Sequence, residues 1–185
     1  EGRLVGVINR VVNYAHSKGT LIVVAAGNGA RDLDQDGGMF AAHCSAANVM
    51  CISATGPTSS ASVNGPWENV DAIAPYTNYG RSAIDVAAPG GNRGGVIWAA
   101  CSTTSLAIPI CRTGTYVLGL AGTSMAAPHV SGMAAVVLQY LPDSSAARVR
   151  TLIQVHAENV AGNGKDPYYG YGRLGVCVRG GQGGH

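Results

Sequence analysis

Residues Thr20 to Ala26 read TLIVVAA, a short run that is apolar and largely β-branched. A run of this length with no polar alternation has the pattern of a parallel strand buried on both faces. Just before it, Leu4, Val5, Val7, Ile8, Val11, Val12, Tyr14 and Ala15 recur at helical spacing, and Gly19 after Lys18 supplies a helix stop. Just after it, the chain breaks into Gly27-Asn28-Gly29. Helix, short turn, buried strand and Gly-rich turn make an α/β unit. In open parallel sheets ligands bind beyond the carboxyl ends of the strands. Asn28 therefore stands where chemistry is expected.

The same pattern continues along the chain. VMCISAT (Val49 to Thr55), AIDVAAP (Ala83 to Pro89) and VIWAAC (Val96 to Cys101) predict further short strands. Residues 30–45 are a polar, Gly-rich loop, 57–81 are mostly loop, and 90–115 are loop with short strands. From Ser124 to about Leu141 the spacing predicts a helix apolar on all sides, and so buried. Ser144 to about His156 predicts a second, amphipathic helix capped by Ser144 or Asp143. The expectation is a three-layer α/β fold, a mainly parallel sheet between helices, over residues 1–179, with a Gly-rich tail at 180–185.

Composition narrows the class. Of the 185 residues 46% are hydrophobic and 12% charged, which excludes a disordered chain. The net charge of +2, spread without a basic cluster, argues against nucleic acid as a partner. No apolar run approaches the roughly 18 residues of a membrane span, and the opening residues do not form a signal peptide. Cys44 and Cys51, and Cys101 and Cys111, are spaced for two local disulfides with Cys177 left over; buried free thiols are the other reading. No CxxC pair suggests zinc.

Ser124 stands where a loop becomes the apolar helix, so it meets free backbone N–H groups and the positive end of the helix dipole. By itself a Ser or Thr there reads as an N-cap. The surrounding string, Gly122-Thr123-Ser124-Met125-Ala126-Ala127-Pro128-His129-Val130-Ser131-Gly132, says more. It closely resembles the nucleophile signature of the subtilisin-like serine proteases. VVAAGN (Val23 to Asn28) is similar to that family's strand ending in an oxyanion-hole asparagine. DVAAPG (Asp85 to Gly90) and YGYGRLGV (Tyr169 to Val176) are similar to two further elements of it, so the likeness spans residues 4 to 178.

The resemblance implies a serine endopeptidase. Ser124 would be the nucleophile, Asn28 the oxyanion donor beside the Ser124 N–H, and Ala26, Gly27, Gly122, Thr123, Ala41 and Ala42, with Phe40, the substrate-binding walls. It implies no cofactor for catalysis, a protein or peptide substrate, a propeptide among the partners, and an extracellular setting.

The family's Asp turn and its HGTxVA-like histidine string do not occur in the chain. They are expected upstream of Glu1, or on a separate chain, which would leave this chain incomplete and inactive by itself. A catalytically inactive binding or scaffold module is the alternative. His129 is expected to pack in the buried helix and His43 to sit on a surface loop, with neither acting as the base. A Gly-rich turn can also signal a nucleotide site, but Gly27-Asn28-Gly29 lacks the third glycine of that motif. Finally, Asp32, Asp34 and Asp36 followed by Gly37 match the first half of a calcium loop, whose twelfth position is here His43 instead of Glu. A structural calcium ion is the one metal this pattern admits; a solvated acidic turn is the other reading.

Overall fold

A computed structural model describes residues 2–35, 43–114, 116–162 and 164–175. Helix α1 (Gly2–Ser17) leads into strand β1 (Ile22–Ala25), followed by β2 (Val49–Thr55). A minimal antiparallel pair, β3 (Ser59–Ser60) and β4 (Trp67–Glu68), interrupts the chain before β5 (Val86–Pro89). The chain then forms a hairpin of β6 (Ile97–Ala100) and β7 (Val117–Leu120), and ends in helices α2 (Thr123–Tyr140) and α3 (Ala146–Val155).

The central sheet has the order β1-β2-β5 and is wholly parallel. Ile22 pairs with Val49 and Ile52 with Val86. Side chains alternate across β2, as the strand period requires. Met50, Ile52 and Ala54 point to one face, where they pack with Val86 and Ala88, with Ala126, Val130, Ala134 and Val137 of α2, and with Val149 and Ile153 of α3. Val49 points to the other face and meets Val12 and Ile8 of α1, while Cys51 packs there with Ala26, Leu33 and Ile84. Helix, sheet and helices make the three expected layers.

The edges of the sheet differ. Tyr169 to Leu174 run along β5: Tyr171 N donates to the Asp85 carbonyl and Leu174 N to that of Ala87. β1 has no strand on its outer side among the described residues.

Several expectations change. Helix α2 is buried only toward the sheet; Val136 and Leu138 are each 39% exposed, so it is not covered all round among the described residues. Helix α3 is capped by Ser145, whose side chain accepts the Arg148 N–H at 3.2 Å, and not by Ser144 or Asp143. The extended backbone at Ser145 aims its oxygen at the free N–H groups of the first turn. Ser145→Ala is expected to cost about 1 kcal/mol, read as a lower midpoint in denaturant with an unchanged slope.

β7 lay in a stretch with no strand signal of its own, and it exists through pairing with β6 (Trp98 opposite Gly119). Both local disulfides form, Cys44–Cys51 and Cys101–Cys111, with Cα separations of 5.2 and 5.4 Å. Cys177 and the 180–185 tail lie outside the described residues.

Candidate active site

Asn28 and Ser124 come together because β1 ends beside the first turn of α2. The link between them is Thr123. The Asn28 Oδ1 accepts both the Thr123 backbone N–H and the Thr123 hydroxyl, each at 2.9 Å. The Thr123 Oγ1 in turn accepts the Gly27 N–H at 3.0 Å. With its oxygen doubly engaged, the Asn28 amide keeps its Nδ2 without an acceptor among the described residues. That nitrogen lies so near Gly122 that a Cβ there would come within 3.2 Å of it.

The start of α2 leaves one N–H for a ligand. Thr123 N is spent on Asn28, and Met125 N donates to the Gly122 carbonyl at 2.9 Å. Ser124 N has no acceptor among the described residues, and the Ser124 side chain is exposed. Two donors, Asn28 Nδ2 and Ser124 N, thus accompany one accessible hydroxyl at a helix N-terminus. That arrangement suits an anion formed by attack of the hydroxyl on a carbonyl.

A clamp holds the Asn28 loop. Asn78 accepts the N–H groups of Gly29 (2.9 Å) and Arg31 (3.0 Å) on its Oδ1 and donates from Nδ2 to the Ala26 carbonyl (2.8 Å). Its backbone N donates to the Gly27 carbonyl, and Ala30 N donates to that of Tyr76. Gly27 is required here, since its φ of +100° disfavours a side chain and a Cβ would come within 2.6 Å of Asn78 Nδ2. On the far side Gly122 N donates to the Gly90 carbonyl, and the Tyr76 hydroxyl donates to Gly90 and Gly91 at 2.9 and 2.7 Å. Burial pushes the Tyr76 phenol up to about 12, so it stays a neutral donor. Asn78 and Tyr76 carried no sequence signal, because a polar residue in a loop rich in Ser, Asn and Tyr has no periodicity to betray it.

The expected substrate walls divide. Gly27 is half-buried beside Asn28. Ala26 is fully buried and packs with Leu33, Cys44 and Ile84, so its side chain belongs to the core. Thr123 is also fully buried, and its side chain is bonded to Asn28 and Gly27. Gly122 is buried against Asn28. Phe40, Ala41 and Ala42 lie outside the described residues.

His129 is exposed, not packed: its Nδ1 lies 2.8 Å from the Met125 carbonyl one turn back. It shares with Ser124, Met125 and Pro128 a cavity of about 330 Å³, walled by the β6–β7 hairpin. His43 places Nε2 3.1 Å from the Ala25 carbonyl at the end of β1.

Of the acidic loop, Asp36 and Gly37 lie outside the described residues. Asp32 accepts the Asp34 N–H, and Asp34 accepts from the Ser82 hydroxyl and from the N–H groups of Ser82 and Ala83. Asp34 thereby ties its loop to the turn before β5. Burial works to raise its carboxyl, but the hydrogen bonds from Ser82, Ala83 and Arg81 outweigh it and hold the group below its ordinary value. A lowered carboxyl stabilises the fold above the unfolded-state value and loses that contribution as pH falls through the folded one. Wild type should therefore exceed Asp34→Ala in Tm near neutral pH, with the gap narrowing as pH drops below about 4.

Comparison with known proteins agrees with this geometry. A match to the Subtilase family covers residues 2–172. The "Extracellular protease" of Xanthomonas campestris pv. campestris is 33% identical over 84% of this chain and 22% of its own length. The "Calcium-dependent protease" of Nostoc sp. is 29% identical over 86% of this chain and 24% of its own. The crystal structure of a lanthipeptide protease superposes with a TM-score of 0.71 at 24% identity, over 94% of this chain and 54% of that one. The chain thus spans about a quarter of these two relatives and about half of that structure. Fold and family match coincide over nearly the whole length, and the chain belongs to the subtilase family.

Proposed function

We propose that Ser124 is the nucleophile of a serine endopeptidase and that this chain supplies the nucleophile and oxyanion half of its active site. The Ser124 Oγ attacks the scissile carbonyl carbon, and its proton passes to a histidine. The carbonyl oxygen takes the negative charge and is held by Asn28 Nδ2–H and Ser124 N–H. Collapse expels the amine, which takes the proton, and leaves an acyl-enzyme that water hydrolyses. The histidine and its orienting aspartate come from sequence outside this chain, in the same precursor or on a separate polypeptide. The reading is supported by one observation above all: Thr123 engages Asn28 by its oxygen, which leaves the amide Nδ2, beside Gly122, as a donor next to the Ser124 turn.

The test is intact mass after treating the full-length protein with a fluorophosphonate. The expected result is one adduct mapped to Ser124 and absent from Ser124→Ala. No adduct on folded protein would leave a binding or scaffold role in its place.

Two further parts belong to the proposal. An extracellular setting is supported by the two disulfides and by a relative named for that location. A structural calcium ion is carried over from the calcium-dependent relative to the Asp32–Asp36 loop, away from Ser124. The Asp34 carboxylate is committed to Ser82, so among the described carboxylates of the loop Asp32 is the one with an oxygen left for the ion. Calcium is then expected to raise Tm, and Asp32→Asn to abolish the rise.

A further inference from the structure

A second cavity lies apart from the one at Ser124. A groove of about 580 Å³ lies on the other side of β6, between that strand and the loop carrying β3 and β4. β6 separates the two spaces. Ala99 faces the Ser124 cavity, Trp98 faces the groove, and Ile97 lines both. The groove floor includes Pro89 and Gly91, in the turn whose Gly90 receives the Gly122 N–H. The groove is thus continuous with the structure that positions the nucleophile.

Its walls are unusual in presenting two tryptophans, Trp67 at 50% and Trp98 at 55% exposure. Each indole is backed by a glycine. A Cβ on Gly119 would lie 3.2 Å from the ring of Trp98, and one on Gly95 would lie 3.5 Å from Trp67 Nε1. Both rings are seated on backbone and keep their remaining surface for the groove. Exposed aromatic surface that is already rigid costs little entropy when a partner covers it.

Charge narrows the partner. Asp71 on the rim is paired with Arg173 at 3.0 Å. Arg173 is shared between Asp71 and Glu158, whereas Arg93 is exposed and has no ionic partner among the described residues, so Arg93 is the cation on the rim left to meet an acidic group. The other walls mix apolar Pro57, Val63 and Val70 with polar Thr55, Ser60, Ser62 and Asn92. Because the groove adjoins the turn that supports Ser124, the occupant it fits is a further stretch of the polypeptide presented to Ser124, with an aromatic side chain for the indoles and an acidic one for Arg93.

We propose that this groove is an accessory substrate site, which binds a stretch of polypeptide away from the scissile bond through an aromatic side chain on Trp67 and Trp98 and an acidic neighbour on Arg93. The proposal rests on the reading of Ser124 as a protease nucleophile, but its test does not depend on turnover.

The experiment uses full-length Ser124→Ala protein and the peptide Ac-Ala-Asp-Phe-Pro-Ala-NH2, with Ac-Ala-Asn-Ala-Pro-Ala-NH2 and maltohexaose as comparisons. Indole N–H resonances are assigned from Trp67→Phe and Trp98→Phe spectra, and affinity is measured by calorimetry. The expected result is a shift of both indole signals with the Asp-Phe peptide alone. Affinity should fall about tenfold in Trp98→Ala and by a similar factor in Arg93→Glu, with Trp98→Phe retaining most of it. Unshifted indoles, equal binding of the Asn-Ala peptide, or binding of maltohexaose in its place would each overturn the proposal. Failure of fluorophosphonate labelling with the indole shifts intact would overturn the nucleophile and leave a peptide-binding groove.

Discussion

Asn28→Ala is expected to lower kcat of the full-length protein about 100- to 1000-fold while leaving KM nearly unchanged, a scale already established for the oxyanion asparagine of subtilisin in this same family. The split follows from where the charge is. A ground-state carbonyl gains little from a donor placed for the oxyanion, so binding changes little and the loss falls on the chemical step. Thr123 gives a second reading of the same device. It does not touch the oxyanion; it holds the oxygen of Asn28 and takes the N–H of Gly27. Thr123→Val keeps the shape and removes both bonds of the hydroxyl, and kcat should fall, with Thr123→Ser restoring most of it. If Asn28→Ala changed KM and left kcat alone, Asn28 would be a binding residue and not an oxyanion donor.

Asp85→Ala is expected to destabilise the fold by about 3–5 kcal/mol, a large part of the roughly 5–15 kcal/mol that holds a domain together. The side chain is 4% exposed and serves four donors. Asp85 Oδ1 accepts from Arg150 Nη2 (2.6 Å), Arg150 Nε (3.2 Å) and Gln154 Nε2 (2.6 Å), and Oδ2 accepts the Cys51 N–H (2.8 Å). One carboxylate thereby joins α3 to both β2 and β5. Removing it leaves a partly buried guanidinium without its carboxylate, with only the Ala47 carbonyl as acceptor, and a buried backbone N–H without a partner, and that desolvation is the larger cost. The pair itself need not be worth as much. Asp85→Leu with Arg150→Met should recover part of the loss, since two apolar groups leave no charge stranded. Chemical denaturation of the two variants checks this, and a double variant no more stable than Asp85→Ala would contradict it.

These two residues show what different signals a sequence holds. Local pattern placed Asn28 and Ser124 at the ends of elements, an apolar strand that stops at a Gly-rich turn and an apolar helix that begins after Gly122-Thr123, while the roles proposed for them came from the resemblance of the surrounding strings. Local pattern also sufficed for α1, β2, α2 and α3, and for the three-layer parallel architecture, because burial on both faces of a strand and on one side of a helix is written directly in residue order. Asp85 stood in a recognisable string, but nothing in the string told that it would anchor Arg150 and Gln154, which lie 65 and 69 positions away.

Only the tertiary structure decided the rest. It tied the Thr123 side chain to Asn28, set the Ala26 side chain in the core, exposed His129, paired β7 with β6, and brought Trp67 and Trp98 to one groove. Each of these depends on contacts between distant segments. Packing against a neighbour, not the run of residues around a position, sets which side of a buried element a small or polar side chain meets.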